Sequence, residues 1–195
     1  NHLAFSGNTN YGAIEFNANA AGSGALDYNA TSIAGVIAHS SHDIENNNNY
    51  GTVTISGGKI KSAHIGGVIG TSTPVKITNC HNHQGANITV DSDVTFWGLC
   101  VAGVVSSCSE SSVGVDGCTN NATINVKINT QLTGTGITYV GGVAGLQKVT
   151  INDCHNKGNI AVDLCESTAP FYAGTVLGHN YSANAVAQNL SNSGT

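Results

Sequence analysis

Cysteine and histidine lie side by side at two places in the sequence, and together they could hold a metal ion. One place is Cys80-His81-Asn82-His83 and the other is Cys154-His155. Thiolate and imidazole are common zinc ligands, but adjacent residues on a strand point to opposite faces, and the chain has no Cys-x-x-Cys pair. Cys118, a third cysteine in a similar context, is followed by Thr119 instead of histidine. The sequence therefore predicts no metal ion and no other cofactor.

The acidic residues are too scattered to suggest catalysis. Asp91 and Asp93 are the closest pair, and no other copy of that pair occurs in the chain. Glycoside hydrolysis needs two opposed carboxylates, and a lyase needs a base together with cationic stabilisation of its carbanion. All six basic residues are lysines, and nucleophile-elbow, phosphate-loop and metalloprotease motifs are absent. We therefore predict a protein that is not an enzyme and has no catalytic residues.

The composition excludes two classes of partner and favours strands. Only 9% of the 195 residues are charged, the net charge is -5, and there are 25 glycines. This balance argues against a surface that neutralises nucleic-acid phosphates. No apolar run reaches the length of a membrane helix, so membrane insertion is not expected. Glycine, asparagine, threonine and β-branched residues dominate, which is typical of an all-β chain.

An internal repeat decides the predicted fold. A segment such as Ile65-Gly-Gly-Val-Ile-Gly70 recurs five times, with successive copies 32 to 39 residues apart. Two further short segments of alternating apolar residues follow each copy, which suggests three short strands per unit. Stacked units of this kind bury a continuous core, and crossovers between parallel strands are right-handed. We predict one module over residues 1–195, a right-handed parallel β-helix, or β-solenoid, of about five coils. The residues predicted to face inward in the first strand are Ile33, Ile65, Val101, Val140 and Tyr172.

One asparagine recurs at the same turn of each unit. Asparagine tolerates left-handed turns, and stacked asparagine amides can hydrogen-bond along a ladder. We therefore predict a structural role for this column. The predicted asparagine ladder is Asn10, Asn49, Asn82, Asn120, Asn156 and Asn192.

The units resemble the GLUG-type repeats of microbial surface and secreted proteins. The resemblance rests on Gly67-Val-Ile-Gly70 and Gly142-Val-Ala-Gly145, and on the downstream stretches Asn79-Cys-His-Asn82 and Asp153-Cys-His-Asn156. It covers roughly residues 30–195. It implies an extracellular or cell-surface location, and it brings no catalytic residues.

Cys80, Cys118 and Cys154 share one turn position, two residues before the asparagine column. Adjacent coils would bring their Cα atoms within the separation that a disulfide needs. Three cysteines cannot all pair with one another, so Cys108 is a candidate partner for one of them, and the sequence does not choose among 15 connectivities. For a secreted chain we expect at least two disulfides, with buried free thiols as the alternative. The candidate disulfide cysteines are Cys80, Cys100, Cys108, Cys118, Cys154 and Cys165.

Acceptor motifs for N-linked glycans occur at five places. In an extracellular protein with so few charges, glycans would supply solubility, whereas the alternative is that these are unmodified turn asparagines. The candidate glycosylation sites are Asn29, Asn87, Asn121, Asn180 and Asn189.

The two ends and three insertions are the expected contact surfaces. The sequence starts and stops inside a unit, so we expect a module uncapped at both ends, either a piece of a longer solenoid or a subunit that stacks axially. The insertions are residues 18–29, 91–99 and 164–171. Trp97 is interpreted either as a cover over the core or as a residue that contacts a sugar or a partner. The candidate contact surface is Phe96, Trp97 and Phe171.

These features favour a non-catalytic extracellular structural protein. The leading prediction is a subunit of a surface fibre or stalk, in which copies or neighbouring solenoid segments stack end to end. The alternative is an adhesin-type module that binds carbohydrate or a host surface through its inserted loops. A fibre subunit associates through its ends, whereas an adhesin remains monomeric and binds a ligand.

Overall fold

The fold is described from a computed structural model of the chain. The structure describes residues 4–17, 31–73, 76–108, 114–129, 136–148, 150–164, 170–180 and 186–195, and only the backbone at 59, 61 and 94–97. The described residues form strands that fall into five parallel stacks, each stack receiving at most one strand segment from every coil. No helix long and apolar enough to cross a membrane is found among the described residues.

Within one coil the chain passes through the five stacks in order. The first stack is β1 (Ala4–Ser6), β6 (Asp43–Glu45), β10 (Ile77–Thr78), β14 (Gly114–Asp116), β19 (Thr150–Asn152) and β24 (Ala187–Gln188). The second stack is β2 (Thr9–Asn10), β7 (Asn48–Asn49), β11 (His81–Asn82), β15 (Thr119–Asn120), β20 (His155–Asn156) and β25 (Ser191–Asn192).

The third and fourth stacks share two long strands, β8 (Val53–Gly66) and β12 (Ile88–Ala102), and so form one sheet. The third stack also contains β3 (Ile14–Asn17), β16 (Ile124–Ile128) and β21 (Ile160–Asp163). The fourth also contains β4 (Thr31–Ala34), β17 (Thr138–Gly141) and β22 (Phe171–Gly174). The fifth stack is β5 (Ile37–Ser40), β9 (Ile69–Ser72), β13 (Val105–Cys108), β18 (Ala144–Gln147) and β23 (Leu177–Asn180).

The predicted parallel β-solenoid is confirmed, since each strand pairs in parallel with its equivalents in the neighbouring coils. The structure has about four turns, where about five coils were expected. Five strand segments per coil replace the predicted three, because the first predicted strand bends at its glycines and the asparagine turn itself forms a short strand. Right-handedness stays a prediction.

One predicted insertion lies inside a strand. Residues 91–99 belong to β12, which pairs with β8 on both sides of two register shifts, between Asp91 and Asp93 and between Val94 and Gly98. Bulges of this kind absorb extra residues while the ladder continues. The other two insertions fall largely or wholly outside the described residues.

The core lies in two clusters that run along the axis. One is built from the third and fourth stacks, where Val53, Ile88 and Ile124 are fully buried in register. The other joins the fifth stack to the first, with Ile69 and Ile77 among its members. Tyr172 was expected to face the core, but Val140 pairs with Ala173, and Tyr172 is 41% exposed. A one-residue difference in register moves a side chain to the opposite face of a strand.

Every coil turns through a left-handed residue at the same point, directly after the first stack. Because side chains other than those of asparagine and aspartate rarely adopt positive φ, this position is restricted to glycine, asparagine and aspartate. The six residues, with φ between 49° and 73°, are Gly7, Asn46, Asn79, Gly117, Asp153 and Asn189.

Candidate functional site

The asparagine column forms a continuous chain of side-chain hydrogen bonds along the solenoid. Each Nδ2 donates to the Oδ1 of the equivalent asparagine in the next coil, at distances of 2.8 to 3.0 Å. Each Nδ2 also donates to a backbone carbonyl of its own turn, for example from Asn120 to Ala122 at 2.9 Å. The four inner members, Asn49, Asn82, Asn120 and Asn156, are at most 1% exposed. This column is called the asparagine ladder below.

The repeated glycine of the sequence packs directly against this ladder. A Cβ atom at Gly103 would lie 2.2 Å from Cγ of Asn120 and 2.1 Å from the carbonyl oxygen of Gly142. The same close approach occurs between Gly67 and Asn82. The glycine repeat and the asparagine repeat therefore satisfy one packing requirement, since any larger residue would displace the amide from the ladder.

The two ends of the ladder are complementary. Within the ladder, Asn49 Oδ1 accepts from Gly51 N and from Asn10 Nδ2, whereas Asn10 Oδ1 accepts only from Gly12 N among the described residues. At the opposite end, Asn192 Nδ2 donates to Gly194 O, while Asn156 Nδ2 has two acceptors. One end thus presents an acceptor and the other a donor at the same position of the coil.

The apolar core is less covered at both ends than in the middle. Val53 and Ile55 are fully buried, but Ile14 and Phe16, their equivalents in the first described coil, are only half-buried. Phe5 is 49% exposed. The other end repeats this pattern, with half-buried Ile160, Val162 and Leu164.

The thiol column, formed by Cys80, Cys118 and Cys154, is completely buried. Each thiol donates to the carbonyl two residues earlier in its own turn, at 3.5, 3.4 and 3.2 Å. Hydrogen bonding with Cys154 and Cys80, together with burial, holds the pKa of the Cys118 thiol well above its usual range. Its thiol is therefore protonated at neutral pH.

The predicted disulfides are not found among the described cysteines, and this expectation is corrected. Cys80, Cys100, Cys108, Cys118 and Cys154 are all free, and Cys165 lies outside the described residues. Equivalent residues of in-register parallel strands have parallel Cα–Cβ bonds, so their Cβ atoms stay near the ~4.8 Å strand spacing. A disulfide needs a Cβ separation of about 3.5–4.5 Å. Proximity of the backbones was therefore not sufficient.

Cys100 is separate from the thiol column and equally inert. Its thiol donates to Ser106 O at 2.9 Å, and burial raises its pKa to about 12. Low-pKa, accessible thiolates are the reactive form of cysteine, and Cys100 has neither property.

The histidines and acidic residues singled out in the sequence are dispersed over the described part of the chain. No group of three or more potential ligands is arranged there around a common point. His155 Nε2 lies 3.2 Å from Asp153 Oδ1. Asp91 lies 4.0 Å from Lys127 Nζ and accepts a hydrogen bond from Asn129.

The candidate glycosylation and contact residues are dispersed. Asn87 Oδ1 accepts from Thr123 N, and Asn189 Nδ2 donates to Asn152 Oδ1. Asn121 and Asn180 are half-buried, and Asn29 lies outside the described residues. The side chains of Phe96 and Trp97 also lie outside them, while Phe171 is 36% exposed.

Sequence reasoning missed a row of stacked rings beside the ladder. Tyr11 stacks on Tyr50 at 5.0 Å, and Tyr50 stacks on His83 at 3.9 Å. Each of these residues directly follows a ladder asparagine. Extending the repeat alignment by one residue would have revealed the row.

Comparisons with known proteins give no relative from which a function could be transferred. No family model, no curated protein and no solved structure matches the chain.

Proposed function

We propose that this chain is a non-catalytic, extracellular structural protein whose coils stack head to tail with further solenoid coils in a surface fibre or stalk. The partner coil belongs to another copy of the chain or to a neighbouring solenoid segment. Right-handed winding and kinship with the GLUG-type repeats are part of the same proposal. The GLUG-like stretches, with their implied surface location, support the extracellular setting.

The complementary ends of the asparagine ladder carry this proposal. If one subunit is placed on another at the coil spacing of ~4.8 Å, Asn192 Nδ2 faces Asn10 Oδ1 of the next subunit. That contact would repeat the bond that already joins each pair of neighbouring coils. Two like ends would instead bring donor to donor or acceptor to acceptor. The arrangement therefore supports head-to-tail stacking, which is the geometry that produces open filaments.

The half-buried core at both ends supplies the driving force. An additional coil would cover Ile14 and Phe16 at one end and Ile160, Val162 and Leu164 at the other. Burial of apolar surface contributes about 25 cal/mol per Å², so the apolar side chains favour association while the ladder sets its direction. Strand edges that are paired in this way are also protected from non-specific aggregation.

Electron microscopy and sedimentation of the concentrated protein test the proposal. We expect filaments one solenoid wide, with a concentration-dependent sedimentation coefficient. Single particles at every concentration would contradict the fibre role.

The substitution Asn192→Asp sharpens this test. An aspartate keeps an oxygen for Asn156 Nδ2 but loses the donor that would reach the next subunit. We expect assembly to require at least about tenfold higher protein concentration. Asn125→Asp is the matched control, because Asn125 is exposed in the middle of β16 and changes the net charge equally. Equal effects of the two variants would contradict a role for the ladder end.

The adhesin-type alternative, with binding through inserted loops, stays a prediction. Phe171 is the one candidate contact residue with a described side chain, and it is partly exposed.

A further inference from the structure

A groove runs along one side of the solenoid between the fourth and fifth stacks. One wall carries a row of fourth-stack residues that pair in register from coil to coil, of which Cys100 is buried: Ser32, His64, Cys100, Tyr139 and Tyr172. The other wall carries the matching residues of the fifth stack: His39, Thr71, Ser107, Leu146 and His179.

Small residues allow the two walls to approach one another. Ser32 Oγ lies 3.2 Å from Thr71 Oγ1 across the groove, and the rings of Tyr172 and His179 are 4.6 Å apart. A Cβ atom at Gly70 would lie 2.3 Å from Ser32 Oγ. The strands therefore meet at a concave corner with a floor of small residues.

A cavity of about 270 Å³ opens in the half of this groove that contains His64. His39, Thr71, Ser107, Leu146 and Lys148 are among the residues that line it. Ligand pockets in proteins usually have volumes of roughly 300 to 1,000 Å³, so this cavity lies at the small end of that range. A ligand that fills it would be about as large as one small ring and its substituents.

One polar atom in the cavity lacks the partner that such atoms normally have. His64 Nδ1 is buried and forms no hydrogen bond. Ser107, which is only 7% exposed, also lines the cavity. Buried polar atoms are otherwise nearly always paired, so His64 Nδ1 is suited to a ligand that brings its own donor or acceptor.

The charge and polarity of the residues that line the cavity indicate which class of ligand could bind there. Burial lowers the pKa of His64, so its imidazole is neutral at pH 7 and offers one donor and one acceptor. Thr71 and Ser107 supply hydroxyl groups, and Leu146 supplies an apolar surface. Among the described residues of the lining, Lys148 is the only charged one and none carries a carboxylate. Hydroxyl groups on a ring with apolar faces match this set of groups.

We propose that the cavity in this groove is a carbohydrate-binding site that holds one sugar ring of a glycan beside His64 and Ser107. The site lies on the side of the solenoid. It therefore does not depend on axial stacking, and it differs from the inserted loops of the adhesin-type alternative. A fibre built from such subunits would repeat the site along its length.

Nuclear magnetic resonance with three probes tests the proposal: cellohexaose as a neutral glycan, hexagalacturonate as a glycan with carboxylates, and sodium sulfate as a simple anion. We expect at least one hexasaccharide to shift the His64 imidazole and Ser107 amide signals saturably, with half-saturation below about 10 mM. Tighter binding of hexagalacturonate would indicate that Lys148 contacts a carboxylate. No saturable shift with either glycan, or saturation by sulfate alone, would overturn the proposal.

Single substitutions test whether the glycan binds in the cavity. His64→Phe keeps a ring of similar size but removes both nitrogens, and we expect it to weaken glycan binding at least about tenfold. Ser107→Ala is a smaller change that keeps the test informative if His64→Phe does not fold, and it should weaken binding about threefold or more. His155→Phe, on a turn away from the groove, is the matched control. Unchanged affinity in both groove variants, or an equal loss in the control, would refute the assignment.

Discussion

The asparagine ladder and the thiol column lie two residues apart on the same turns, and both are buried, yet only the ladder links the coils through strong hydrogen bonds. Asn82, Asn120 and Asn156 each bond to both neighbouring coils. Cys80 and Cys118, by contrast, donate to carbonyls of their own turns, and the thiol contacts between coils are weak, such as the 3.7 Å contact from Cys154 Sγ to Val115 O.

The difference lies in what each side chain offers at the coil spacing. An amide carries a donor and an acceptor on one rigid group, so identical residues can satisfy one another along an unlimited stack. A thiol has one weak donor and a weak acceptor, and behaves mainly as a small hydrophobic side chain. The ladder therefore fixes the alignment of the coils, whereas the thiol column fills space.

Removing one asparagine from the ladder should have the largest effect on stability. Asn120→Ala deletes four buried hydrogen bonds, two to neighbouring asparagines and two to Ala122. At about 1 kcal/mol each, and with unpaired amides left behind, we expect the free energy of unfolding to fall by about 3–5 kcal/mol. Urea denaturation followed by circular dichroism measures this. Asn125→Ala, at an exposed site, is the control and should change stability by less than about 0.5 kcal/mol.

A gap in the thiol column should matter less. Cys118→Ala removes one buried sulfur and leaves a small cavity, so we expect a loss of about 1–2 kcal/mol in the same urea measurement. If Cys118→Ala destabilises the protein as much as Asn120→Ala, the thiols connect the coils as strongly as the amides do. The contrast between the two columns would then be lost.

A reducing agent should have the smallest effect. Because the five described cysteines are free, dithiothreitol should leave the melting temperature unchanged. Burial should also protect these thiols from iodoacetamide until urea unfolds the chain. Peptide mass spectrometry of alkylated protein, with and without urea, checks both points. A melting temperature lowered by several degrees, or cysteines that resist alkylation in urea, would instead indicate disulfides.

The parallel solenoid could be predicted from the sequence because its repeat is marked by residues that few other amino acids can replace. Gly67 and Gly103 recur where a Cβ would strike the ladder, and the left-handed turn accepts only glycine, asparagine or aspartate here. The division of a coil into five segments could not be predicted, because bends at glycine leave the alternation of apolar residues unchanged.

Other features depend on the directions of side chains, which the spacing of residues along the sequence does not specify. The spacing of the cysteines correctly predicted that Cys80, Cys118 and Cys154 lie in one column. It did not show that their Cα–Cβ bonds are parallel, which keeps the Cβ atoms too far apart for a disulfide. Tyr172 was placed inward because its segment was aligned one residue out of step. The cavity residue His64 carried no sequence signal, since what sets it apart is a hydrogen bond that its buried Nδ1 does not make.

All the rungs of the ladder point the same way, from Asn10 towards Asn192. Their amide dipoles therefore add instead of cancelling, as peptide dipoles do along a helix. The ladder therefore carries a dipole of its own, with its positive pole at the Asn192 end and its negative pole at the Asn10 end. A long head-to-tail stack would carry that dipole along its whole length.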